Sequence, residues 1–81
     1  MHDIQEQIIL FIKKGCINCK VSKLQLDKAD IFYMEVDVEE TPETALDFGI
    51  VKTPALVVYN GKNYVVYDNA SEIRKYIESI K

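Results

Sequence analysis

The residues able to do chemistry concentrate in "KKGCINCK", Lys13 to Lys20, which holds both cysteines of the chain, Cys16 and Cys19. Two thiols at this spacing can exchange disulfides, hold a metal or form a structural cross-link. A tetrahedral zinc site needs ligands beyond these two thiolates. The only other strong donor is His2, close to the terminus. A structural cross-link at this spacing closes a very short loop and restricts the unfolded chain little. Disulfide exchange gives the spacing a mechanical reason. On the first turn of a helix, residues i and i+3 share a face, so one sulfur can face solvent with the other tucked behind it.

The redox chemistry would run as follows. A helix N-terminus offers unpaired N–H groups and the positive end of the helix dipole. Both favour a thiolate on Cys16, and such motifs lower a thiol pKa from about 8.5 to about 3.5–7.5. Thiolate Cys16 attacks a substrate disulfide, and Cys19 then resolves the mixed disulfide and releases reduced substrate. Lys13, Lys14 and Lys20 add a weak stabilisation of the thiolate through water. Residues 13–28 carry five lysines against one acid, and residues 35–47 carry six acids and no base. Two solvated faces are the plain reading of that asymmetry.

These roles require a helix opening at Cys16, directly after a strand. "QIILFI" (7–12) is a short, β-branched, apolar run that reads as a strand buried on both faces. "KKG" breaks it. From Cys16 to about Asp27 there is no Pro or Gly, and Ile17, Val21, Leu24 and the stem of Lys28 recur at helical spacing, which predicts an amphipathic helix with those residues inside. Asp30–Val38 alternates and reads as a second strand. Thr41-Pro42 starts a short helix, which Gly49 stops. Ala55–Tyr59 is a third strand. Asn60-Gly61 predicts a type I′ hairpin into a fourth strand, Lys62–Tyr67. Asn69-x-x-Glu72 then caps a last helix with Ile73, Tyr76, Ile77 and Ile80 on one face. The order βαβαββα predicts an α/β fold: a four-stranded mixed sheet flanked by three helices, with a parallel pair in its first half.

Residues 1–81 form a single domain near the lower size limit for an unaided core. A net charge of −3 argues against a nucleic-acid binder. The longest apolar run, Ile8–Ile12, is far too short to span a membrane. "MHDIQEQ" lacks the basic and apolar regions of a signal peptide. A cytoplasmic monomer is expected, in a compartment where thiols stay mostly reduced.

Pro54, in "KTPALVV", stands at the very start of the third strand. A proline is tolerated there because it need not donate to the ladder. It also fits a cis Thr53-Pro54 bond in a tight turn, leaving the neighbouring backbone free to pair with an extended substrate.

Four segments, "FIKKGCINCK", "EVDVEETPETALDFGI", "VKTPALVVYNGK" and the closing helix, together resemble the thioredoxin superfamily over nearly the whole chain. The size and the Lys13-x-x-Cys16 spacing are similar to glutaredoxin; the middle and end look more like thioredoxin. The resemblance implies Cys16 as nucleophile, Cys19 as resolving thiol, Pro54 as the cis-proline facing them, and the backbone of Thr53 as a holder of the substrate chain. It implies protein disulfides as substrates, a thioredoxin-reductase-type flavoprotein as the source of electrons with glutathione second, and no cofactor or metal. Electron supply to ribonucleotide reductase is a special case. The alternative is a thioredoxin-like binding or metal-holding module without redox turnover. The chain departs from the family at three places: Ile17-Asn18 lies between the cysteines, Leu10 stands where thioredoxin has a buried acid, and Val65, Val66 and Tyr67 stand where glutaredoxin has a glycine pair.

Overall fold

In this computed structural model residues 7–80 are described. β1 (Gln7–Ile12) and β3 (Ala55–Tyr59) lie at the centre of the sheet, between β2 (Met34–Asp37) and β4 (Tyr64–Tyr67), in the order β2-β1-β3-β4. β1 runs parallel to β2, with Phe11 opposite Val36, and antiparallel to β3, with Leu10 opposite Leu56. β3 and β4 pair antiparallel. The apolar, β-branched character of the two central strands follows from this position, since both of their faces are covered.

Alternation along the central strands divides the core. Ile9, Phe11, Ala55 and Val57 point to one face, where they meet Ala45 and Ile50 around α2 (Pro42–Asp47). Leu10, Leu56 and Val58 point to the other, where they meet Leu26 of α1 (Ile17–Lys28) and Ile73 and Ile77 of α3 (Ala70–Ser79). Phe48 closes the α2 face edge-on against Phe11, Tyr59 and Tyr64. The expected architecture, a mixed four-stranded sheet with three helices, is therefore the observed one. No helix among the described residues is long and apolar enough to cross a membrane.

Four local expectations need correction. The buried face of α1 is Cys19, Ser22 and Leu26, whereas Ile17 is 76% and Leu24 60% exposed and Val21 is also exposed. The cysteine pair explains the difference: the helix is rotated so that its inner sulfur lies beneath it. β2 begins at Met34 and not at Asp30, because α1 ends in a Schellman motif that uses the preceding residues. Asp30 adopts φ 57, its N–H donates to the Asp27 carbonyl, and the Ile31 N–H donates to the Leu26 carbonyl. The hairpin turn is longer than the type I′ turn expected. Tyr59 pairs with Tyr64, and the Asn60 side chain accepts the N–H groups of Lys62 and Asn63 at 3.1 and 2.9 Å. That Asx-type bonding holds a four-residue loop, so β4 starts at Tyr64 and not at Lys62. Finally, Ile80 is the C-cap of α3 and half exposed, so it adds little to the buried face of that helix.

Candidate active site

The chain leaves β1 through Lys13-Lys14-Gly15. Gly15 takes φ 77, a conformation that needs no Cβ, and the Cys16 N–H closes the turn on the Lys13 carbonyl at 3.3 Å. Cys16 is thereby set as the N-cap of α1, with φ −89 and ψ 107, and its side chain takes the place usually held by Ser or Asp. Its Sγ accepts the N–H of Cys19 at 3.2 Å. The same sulfur is disulfide-bonded to Cys19, with Cα atoms 5.2 Å apart. Cys16 is half-buried and Cys19 is 3% exposed. One sulfur is therefore presented and the other covered, the asymmetry that two-step exchange requires.

The loop before β3 comes against this pair from far along the chain. The Thr53 hydroxyl donates to Cys16 Sγ at 3.7 Å. The Thr53–Pro54 peptide bond is cis, and Pro54 is buried at the head of β3. Cys16, Cys19, Thr53 and Pro54 thus meet at one end of the sheet, where β1, α1 and β3 come together.

Neither a protein-family model nor a curated protein sequence matches the chain. Solved structures do. The thioredoxin of Malassezia sympodialis (Mala s 13) superposes with a TM-score of 0.76 at 22% identity, over 94% of this chain and 75% of that one. The oxidised mitochondrial thioredoxin 3 of Saccharomyces cerevisiae gives 0.74 at 22% identity, over 91% and 77%. The oxidised thioredoxin of Plasmodium falciparum gives 0.75 at 22% identity, over 93% and 80%. The chain has the thioredoxin fold.

On this thioredoxin fold a groove of about 440 Å³ runs beside the disulfide, lined by Lys13, Val38, Glu39, Ile50, Val51, Lys52 and Thr53. Its floor is apolar and its rim carries both charges. Val51 is 91% exposed, which marks a surface where an extended segment could rest. Lys13 belongs to the groove wall. Lys20 is exposed on the first turn of α1. Among the described residues the hydrogen bonds to Cys16 Sγ come from the Cys19 N–H and the Thr53 hydroxyl, not from either lysine. Lys23 reaches across from α1 to Glu35 of β2 at 3.1 Å, so the basic and acidic stretches of the sequence meet here. Asn69 caps α3, accepting the Glu72 N–H at 2.9 Å.

Among the described residues no group of three or more His, Cys, Asp or Glu stands close enough to hold a metal ion, and His2 lies outside them. Sequence reasoning assigned Thr53 a backbone role and missed its hydroxyl. The Thr-Pro dipeptide was the available signal, but only the fold brings that hydroxyl to a cysteine 37 residues away. Ser22, a polar residue at the centre of the buried face of α1, was missed because the opposite face of the helix was read as the inner one.

Proposed function

We propose that the chain is a thiol–disulfide oxidoreductase that reduces protein disulfides through Cys16 and Cys19. One observation carries the reading: a half-buried sulfur caps a helix, is disulfide-bonded to a buried sulfur, and receives a hydroxyl from a separate loop. Cys16 is the nucleophile. It sits at the N-terminus of a 12-residue helix, where the N–H groups and the dipole favour its thiolate. Cys19 is the resolving thiol. Pro54 and the backbone of Thr53 hold the substrate chain along the groove, and Lys13 and Lys20 contribute weakly to the local potential. Protein disulfides fit as substrates because the groove is open, elongated and partly apolar rather than a closed small-molecule site. In this reading the chain works as a monomer in a thiol-reducing compartment such as the cytoplasm. It draws electrons from a thioredoxin-reductase-type flavoprotein, with glutathione as the second choice. A ribonucleotide reductase is one substrate of the right kind.

The test is an insulin-reduction assay run once with thioredoxin reductase and once with glutathione and its reductase. Faster turnover in the first arm supports the reading. Faster turnover in the second makes glutathione the reductant. No turnover in either arm, with the disulfide resistant to dithiothreitol, would leave a module without redox function.

A further inference from the structure

Ser22 is fully buried, and it is the only polar residue that is buried among the described residues. Its Oγ has no hydrogen-bond partner among them. A buried, unpaired hydroxyl is a cost that folded proteins rarely carry without a reason. Ser22 lies three residues beyond Cys19, and both face inward from α1. Residues at this spacing are neighbours on a helix surface, so rotation about one bond can bring the hydroxyl toward the inner sulfur. The rest of that interior is apolar, with Leu10 of β1, Leu56 of β3 and Leu26 of α1 all fully buried.

We propose that Ser22 is the hydrogen-bond donor that serves Cys19 in its resolving step. The inference rests on the oxidoreductase reading. In that step the Cys19 thiol has lost its proton to solvent, and its thiolate attacks Cys16 Sγ of the mixed disulfide. The bond between Cys16 and the substrate sulfur breaks as the Cys16–Cys19 bond forms. The electron pair leaves on the substrate sulfur, which takes up a proton. A thiolate in an apolar interior is strongly disfavoured unless something donates to it. Ser22 is the side chain placed to do so. The titratable groups near this face of α1 are Lys28 on the helix itself and Arg74 and Glu78 on α3, which with Gln25 and Ile77 line a separate groove. The strand beneath offers Ile8, Leu10 and Ile12. Ser22 is thus a positioning residue whose hydroxyl is idle in the disulfide form and engaged in the reduced form. It therefore favours the reduced form.

The experiment follows release of the coloured thiol from a symmetric aromatic disulfide by the fully reduced protein. The first equivalent reports attack by Cys16, and the second reports resolution by Cys19. For Ser22→Ala the first phase is expected to be unchanged and the second to slow about tenfold, the worth of one hydrogen bond to a charged group. The pH profile of the second phase should move upward, and Ser22→Thr, which restores a hydroxyl, should recover the rate. The equilibrium with a glutathione buffer should move about tenfold toward the disulfide, or about 30 mV. An unchanged second phase in Ser22→Ala overturns the proposal. So does an equal slowing of both phases, because that is how a merely structural role would behave. Failure of the wild-type protein to release two equivalents, or a first phase that survives Cys16→Ser, overturns the oxidoreductase reading itself.

Discussion

The Thr53 hydroxyl lies 3.7 Å from Cys16 Sγ and donates to it. This links the redox pair to the groove by a side chain that both share. A hydroxyl so placed stabilises a thiolate more than a thiol, because a hydrogen bond to the charged form is the stronger one. Thr53→Val keeps the shape and removes the donor. The Cys16 thiol should then titrate higher, and its alkylation below neutral pH should slow by about threefold, the low end for a net hydrogen bond given the long contact. Alkylation rates against pH provide the check, and an unchanged profile would mean that Thr53 acts through its backbone alone.

The presented and covered sulfurs are predicted to behave differently once reduced. Cys16→Ser should abolish disulfide reduction. Cys19→Ser should stop the reaction at the mixed disulfide, which non-reducing electrophoresis detects as a substrate adduct. At mild pH the wild-type protein should be alkylated first at Cys16, as peptide mapping would reveal. First alkylation at Cys19 would reverse the two roles.

How far the sequence was legible depended on whether a signal belonged to one residue or to a contest between residues. Pro54 and the Cys16–Cys19 spacing carry their meaning alone, and they led directly to the site. Gly49 did too: it ends α2 with φ 69, its N–H on Leu46 and the Ile50 N–H on Ala45. Asp30 ends α1 in the same way, yet it reads as the start of a strand because aspartate in the left-handed region is uncommon. The inner face of α1 was a true contest. Ile17, Val21 and Leu24 fit helical spacing as well as Cys19, Ser22 and Leu26 do, and only the tertiary position of the disulfide decides between them. The Asn60 loop turned on a side chain competing with the backbone, which a dipeptide signal does not weigh.

The two Schellman ends make a matched experiment on stability. A Cβ at Gly49 would meet nothing within 4 Å, so Gly49→Ala tests backbone conformation alone. It should destabilise the fold by about 1 kcal/mol. Asp30 already bears that conformational cost at φ 57. Asp30→Gly relieves it, offset by the greater entropy of glycine in the unfolded chain, and should stabilise by about 0.5 kcal/mol. Urea unfolding of the two variants checks both signs. Neither residue touches the cysteines, so disulfide exchange should be unaffected.

Tyr33 gives the fold an alkaline limit. Its pKa is pushed up from 10.0 to about 12, first by burial, then by the negative charge of Asp27 and the hydrogen bond that the phenol donates to that carboxylate, and last by Glu35. The bond from Tyr33 Oη to Asp27 Oδ1 is 3.2 Å. Because the folded state keeps the phenolic proton more tightly than the unfolded chain, the unfolded state loses it first as pH rises. The contribution of Tyr33 to stability is complete below about pH 10 and is lost between about 10 and 12. Tyr33→Phe removes that dependence. Urea midpoints of the two proteins measured across this range should therefore converge as pH increases, while ultraviolet titration of the wild type should show one tyrosine ionising last. A constant gap between the midpoints would place the alkaline limit on other groups.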